Sequence, residues 1–426
     1  MGTLDIAFKK YKYLYLYYII LLIICVSWTN TDMIAPPMFL RILVTGAIFI
    51  PLIKYIWLLP SIIILFVSIR FNSIAPFGYI PQDWRTYSYI TILILIIHYS
   101  LYKKGHIACP SIKQISLLLF LLVVDSLNLK SFSDYFFFIL LLFILYNLLE
   151  TEISLHTCLW AFMLTSLILS IYFFMYGQQF MATYNYSDLG RSYWVDPNYF
   201  SALIGTGNII AFKYLFFTRN NHLNFFCKVI LFICIITSFI TIVMQASRGA
   251  LLALCISIII MLFLSNVKVI YKLVIIGLLT AGIIALFEQG TFALLEYRIH
   301  EDTEGGSGRL TIWNLKLDAF YSSVNNWAGL GYGASHQLSI ISDCHNEYIS
   351  ILINYGIIGA GVLFYYLWHL LKAGIKDPFL LSSLFYVIIT FMLLSPLTSP
   401  TGWPFALYLI ILEKLSNVKK VSCISS

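Results

Sequence analysis

The chain has 426 residues, of which 60% are hydrophobic, 17% aromatic and only 11% charged, with a mean hydropathy of +0.88. Soluble domains carry about 25% charged residues, and a chain of this length would need two or three charged skins. Nineteen acids and 26 bases exclude a soluble enzyme, and a net charge of +7 spread so thinly excludes a nucleic-acid binder.

A membrane-crossing helix takes about 20 apolar residues. Runs of this kind are predicted at 13–29, 36–53, 55–69, 87–102, 115–129, 135–149 and 157–176. Further runs lie at 199–217, 226–245, 249–265, 270–287, 347–371, 378–396 and 403–414. None alternates in the short segments of a β-barrel. The predicted fold class is all-α, a polytopic transmembrane helical protein forming one integral membrane domain over residues 1–426. Fourteen spans result if every run crosses, and twelve if two short ones are re-entrant or interfacial.

The first run comes after a basic head, as in a signal peptide, but shows no small-residue cleavage site. An uncleaved first span is therefore expected. The eight cysteines have no CxxC or Cys/His metal spacing, and most sit inside apolar runs. No disulfide framework is expected.

Charge placement gives the orientation. With a cytoplasmic N-terminus, seventeen bases fall in inner segments and eight in outer ones, while Arg41 lies within a run. This fits the positive-inside rule and places the C-terminus in the cytoplasm as well. Sixteen of the seventeen inner bases are lysine, whereas six of the eight outer ones are arginine. Inner lysines at span ends set topology and reach the headgroups. Outer arginines offer planar forks suited to phosphate or carboxylate. They point to an anionic ligand on the outer side, the alternative being pairing with nearby acids or lipid phosphates.

Two outer segments are long, 177–198 and 288–346. The first carries Arg191 in DLGRSYWVDPNYFSALIG, where Asp188 and Asp196 are possible ion-pair partners. Arg248, in QASRGALLAL, separates two runs that would otherwise be one, and is expected to face protein or a wet cavity. In the second segment Gly305, Gly306 and Gly308 mark a turn before Arg309. Residues 310–321 then read as an amphipathic helix at the membrane surface. A glycine turn, a helix start and an arginine together suit an anion.

His345 lies in DCHNEY, where the outer loop enters an apolar run. It is placed for general-base chemistry near neutral pH, or else simply bonds a backbone carbonyl. Asn346 and Glu347 either position it and the substrate or cap the helix after them. Glu301, Asp302 and Glu304 read as a solvated loop rather than a metal site, and no metal or cofactor is expected.

The order of these motifs resembles a family. SRG before an apolar run, GR-x-x-x-W, a GYG turn and HNEY-x-x-x-L-x-x-x-G-x-x-G are similar to the O-antigen polymerase and ligase superfamily. The likeness runs from about Arg191 to Gly359. It implies a bacterial inner-membrane glycosyltransferase with a periplasmic site, using undecaprenyl-pyrophosphate-linked oligosaccharide as donor and acceptor, without a metal. It implies that Arg248 and Arg309 hold the pyrophosphate, that His345 deprotonates the acceptor hydroxyl, and that Arg191 is the loop arginine of the polymerase branch. It also leaves a place for a chain-length regulator protein as partner. One departure is that neither Arg191 nor Arg309 opens an arginine–ten residues–glycine spacing.

Within this family the tyrosine-, phenylalanine- and isoleucine-rich composition favours an O-antigen polymerase. The alternative is the O-antigen ligase, which transfers the finished glycan to lipid A–core. A carrier-lipid flippase is a third reading. It would call for midplane charges and internal repeats, whereas the chain offers Arg41 and Asp125 within runs and no convincing repeat. On the favoured reading Arg248, Arg309 and His345 converge on one periplasmic cavity.

Overall fold

The apolar runs become helices whose ends obey local stop and start signals. The structure, a computed structural model, describes residues 3–27, 38–72, 84–102, 132–181, 197–217, 225–245, 247–266, 309–322, 326–330, 345–375, 377–394, 397 and 403–424, with isolated positions between 268 and 284. Among them are thirteen α-helices and no strand. In chain order they are α1 (Thr3–Ser27), α2 (Met38–Phe49), α3 (Leu59–Asn72), α4 (Trp84–Tyr102), α5 (Phe132–Leu148), α6 (Glu152–Met181) and α7 (Pro197–Phe212). Then come α8 (Phe225–Met244), α9 (Arg248–Leu264), α10 (Arg309–Tyr321), α11 (Glu347–Gly374), α12 (Pro378–Leu393) and α13 (Trp403–Ile424). The predicted run at 115–129, most of that at 270–287 and most of both long outer segments lie outside the described residues.

Among the described residues four helical stretches are, by length and composition alone, long and apolar enough to cross a membrane: Glu152–Met175, Asn198–Phe217, Phe225–Met244 and Glu347–Gly374. Five shorter apolar helices accompany them among the described residues. The chain is a multi-pass membrane protein.

Helix α7 is the hub, packed against α6, α8, α9 and α12. Lipid chains give helices no hydrophobic reason to associate, so close approach and hydrogen bonds must do it. Small residues provide the approach: a Cβ on Gly207 would lie 2.2 Å from Ser166 Cβ, and one on Gly205 would lie 2.1 Å from the Tyr386 hydroxyl. Hydrogen bonds cross the same seams. Ser166 Oγ donates to the Ile204 carbonyl at 2.7 Å, Asn208 Nδ2 to the Ile235 carbonyl at 2.9 Å and Tyr386 Oη to the Ala202 carbonyl at 2.6 Å. Helix α12 also receives α9, where Ser382 Oγ donates to the Ser257 carbonyl at 2.6 Å.

Asp377 starts α12 by accepting the backbone N–H of Phe379 and Leu380, with Pro378 in the first turn, where its missing N–H costs nothing. The joint between α11 and α12 is therefore short, and the two helices pack together. Near it, the buried carboxylate Glu413 accepts a hydrogen bond from Tyr366 Oη at 3.1 Å, and the Lys414 ammonium lies 3.7 Å from the Tyr146 ring.

Candidate functional site

The site is built around the start of α11, and that helix is not one straight rod. Gly356 has φ 70 and ψ −167, which ends one helical arm, Glu347–Tyr355, and begins another, Ile357–Gly374. The rings of Tyr348 and Phe364 stack with centroids 5.6 Å apart and planes at 12°. Sixteen residues of straight helix would separate those positions by about 24 Å. The two arms therefore fold back toward each other at Gly356, and the run predicted as one span over 347–371 is a helical hairpin with a long second arm.

Backbone groups freed by the break are satisfied by a separate piece of chain, residues 326–330. The Leu330 N–H donates to the Ile353 carbonyl at 2.8 Å. In return the N–H groups of Ile357 and Ile358 donate to the carbonyls of Asn326 and Trp327 at 3.1 and 3.2 Å. Non-helical backbone is tolerated in a membrane protein only where protein or a wet cavity satisfies it. Two glycines make this crossing possible. A Cβ on Gly356 would lie 2.2 Å from the Trp327 carbonyl oxygen, and one on Gly329, itself at φ 77, would lie 2.5 Å from the Asn354 carbonyl. Gly356 is the first of the two closing glycines in the HNEY motif, and its job is the turn.

The first arm opens on His345, Asn346 and Glu347. His345 has φ 46, the one positive φ outside glycine among the described residues. Non-glycine residues adopt that region seldom, histidine more readily than most, and such conformations gather at functional sites. Asn346 is the helix cap: its side chain accepts the Ile349 N–H at 3.2 Å. Glu347 is fully buried, and its Oε2 accepts the Leu397 N–H at 2.7 Å. Tyr348 Oη donates to the Ile388 carbonyl at 3.1 Å. Of the two roles read for Asn346 and Glu347, the structure thus displays a cap and a clamp on the chain after α12.

The last turns of α12 are a shared platform. On one side they carry the first arm of α11 through Ile388 and Phe391, helped by Leu397 just beyond the helix end. On the other they carry the start of α9, where a Cβ on Gly249 would lie 2.6 Å from Leu393 Cδ1. Arg248, the residue before Gly249, is the first residue of α9. Its neighbour Ser247 is buried and donates from Oγ to Asn198 Oδ1 at 3.0 Å, which joins the SRG motif to the DPN entrance of α7. The starts of α7, α9 and α11 and the end of α12 therefore meet at one end of the bundle, which brings Arg248 and His345 to the same end.

Helix α10 joins this end through the first arm. Phe320 packs with Ile353, flanked by Leu330, Ile349 and Leu352. Arg309 is the first residue of α10, which confirms a helix where sequence placed one. The side chain of Arg309, all of Arg191, the glycine turn at 305–308 and the acids at 301–304 lie outside the described residues. Lys316, which sequence counted only as an outer charge, is fully buried. Its spacing was the available signal: 309, 313, 316 and 320 fall on one stripe of a helix.

Residues 233–364 match the O-antigen ligase family. The match starts within α8, ends in the second arm of α11 and covers less than half of the chain. It includes Arg248, Arg309, His345, Asn346 and Glu347, while Arg191 precedes it. It supports the O-antigen ligase and polymerase superfamily, to which the motif order pointed. No curated protein matches the chain.

Proposed function

We propose that this chain is a membrane glycosyltransferase that joins undecaprenyl-pyrophosphate-linked repeat units on the periplasmic side, as an O-antigen polymerase. The observation that supports the reading is that the helix starts carrying the matched segment's histidine and its first arginine lie at the same end of the bundle, beside the last turns of α12.

The residue types dictate the chemistry. A sugar hydroxyl is a weak nucleophile, so a base must take its proton as the new bond forms. His345 Nδ1 or Nε2 takes that proton, and the hydroxyl oxygen attacks the donor's anomeric carbon. The bond from that carbon to the pyrophosphate oxygen breaks, which inverts the centre. The departing lipid pyrophosphate carries the bonding electrons, and fixed guanidinium groups stabilise that charge. Arg248 and Arg309 take this role, with Arg191 of the outer segment 177–198 as a further substrate-binding arginine. Asn346, as cap, and Glu347, as clamp on Leu397, fix the start of the helical arm from which the imidazole is presented. The reading invokes no metal or cofactor, and its partners are the lipid-linked donor and acceptor, the bilayer and a chain-length regulator.

A second reading is favoured by the description of the matched family, which is a ligase. Both readings use the same groups and differ in the acceptor, lipid A–core in the case of the ligase. Lipopolysaccharide from a deletion strain separates them. A single repeat unit on the core is expected for loss of a polymerase, and a bare core would replace this reading with the ligase.

A further inference from the structure

We propose that the groove between α1, α3 and α6 holds one acyl chain of an anionic phospholipid, whose headgroup rests on Lys10 and Lys54. The proposal does not depend on the glycosyl-transfer reading. Trp160, in the groove wall, packs against Tyr214 with ring centroids 5.4 Å apart. Tyr214 follows Asn198 by about 24 Å of helix. The groove therefore lies at the other end of α7 from the candidate functional site.

The groove follows helix periodicity. Its lining positions are 58, 61, 62 and 65 along α3 and the residue before it, and 157, 160, 161 and 164 along α6. Each set covers two turns, about 10 Å. Tyr15, Tyr18 and Ile19 of α1 form the third wall. The volume of about 90 Å³ has room for several waters at about 10–15 Å³ each, but the hydroxyls in the walls are already committed. Tyr18 Oη donates to the Ile48 carbonyl at 3.0 Å, Ser61 Oγ to the Leu58 carbonyl at 2.7 Å and Thr157 Oγ1 to the Ile153 carbonyl at 2.7 Å. Tyr15 Oη lies 3.5 Å from Thr157 Oγ1. Cavities with apolar walls stay dry and take apolar guests, and in a multi-pass membrane protein that guest is a lipid chain.

The rim selects the lipid. Helix α1 departs from helical geometry at Tyr11, with φ −112 and ψ 18. The Tyr11 ring meets Tyr55 and Trp57, with centroids 5.8 and 5.1 Å away. Tyr11 stands one turn before Tyr15, and Trp57 directly precedes Leu58, so this aromatic cluster borders one end of the groove. Tyrosine and tryptophan gather at the headgroup level of a bilayer. Two exposed lysines flank the cluster: Lys10 Nζ lies 5.3 Å from the Tyr11 ring centre and Lys54 Nζ 5.5 Å from that of Tyr55. Two ammonium groups beside one ring pair, with an apolar slot leading away from them, match a negative headgroup joined to a long tail.

The test is quenching of tryptophan fluorescence in the full-length protein, held in phosphatidylcholine nanodiscs that contain a small share of brominated lipid. The Trp160 signal is the difference between wild type and Trp160→Phe. Phosphatidylglycerol brominated in the upper half of its chains is expected to half-quench that signal at about 5- to 10-fold lower mole fraction than phosphatidylcholine brominated alike. Lys10→Gln/Lys54→Gln should remove the preference and leave the melting temperature in plain phosphatidylcholine unchanged. Lys372→Gln, an exposed lysine at the end of α11, should keep it. Ala161→Phe, which puts a ring in the slot, should remove the stronger quenching by phosphatidylglycerol. Equal quenching by both lipids in the wild type would overturn the anionic ligand. A preference that survives Lys10→Gln/Lys54→Gln, or that Lys372→Gln abolishes equally, would overturn the rim. Undiminished quenching in Ala161→Phe would put the lipid outside the groove. Quenching by neither lipid would overturn the lipid itself and give the groove to another segment of this chain.

Discussion

At the scale of single residues, His345 joins an unusual backbone to a titratable ring. Its left-handed φ of 46 means that a substitution tests two things at once, the imidazole and the turn. Asparagine separates them, because it tolerates this region better than alanine does. His345→Asn is expected to keep the thermal stability of the protein and lower polymer formation by about 100-fold or more, the usual worth of a general base. His345→Ala should lose activity to the same extent and be somewhat less stable. Full-length polysaccharide on gels from either variant, with insertion verified, would remove the base from the mechanism. The residue is singled out as a candidate by its place in HNEY and by the order of the motifs before it. Its conformation was not legible, because a left-handed φ at a residue other than glycine leaves no mark in composition or spacing.

At the scale of elements, the hairpin in α11 is the main departure from a span-by-span reading. Hydropathy reports that residues 347–371 are apolar, and a hairpin inside protein is as apolar as a rod through lipid. The signal for the break was Gly356 itself, yet isolated glycines also serve as close-packing points in membrane helices, as Gly205 and Gly207 do here. What decides between the two uses is the segment 326–330, distant in sequence and invisible to periodicity. Gly356→Ala should therefore be severe. The left-handed φ costs on the order of 1–3 kcal/mol, and the added Cβ at 2.2 Å from a backbone carbonyl cannot be relieved by a rotamer change. Gly361, in the second arm, has nothing within 4 Å of an added Cβ, so Gly361→Ala should leave stability unchanged or raise it by up to about 1 kcal/mol. Thermal unfolding in detergent checks the pair, and equal melting temperatures would contradict the crossing.

At the scale of the whole molecule, stability rests on how closely α6, α7 and α12 approach. Tyr386 illustrates this: its hydroxyl bonds the Ala202 carbonyl and also fills the space beside Gly205. Tyr386→Phe should lose about 1 kcal/mol with the hydrogen bond. Gly205→Ala should cost more, since the new methyl falls 2.1 Å from the hydroxyl oxygen. The two changes share one volume, so the double variant should be more stable than the sum of the single losses, a coupling that a thermodynamic cycle measures. The helical class and the boundaries of most runs within a few residues were legible from apolar length and charge. The hub position of α7 was not, since it depends on which glycine faces which partner.

The clasp of residues 326–330 on α11 has a consequence for how such a protein diversifies. Leu330 is tied to Ile353, and the chain returns to the same helical arm at Asn346, about 10 Å away along its axis. Leu330 and Asn346 are thus both fixed to one element. Lengthening a closed loop is cheap, about 0.6 kcal/mol for each doubling. Inserts of new length or sequence can be exchanged there while the clasp and the capped arm keep their register. The number of residues between Leu330 and Asn346 can therefore change at small cost to the helical arm that holds both.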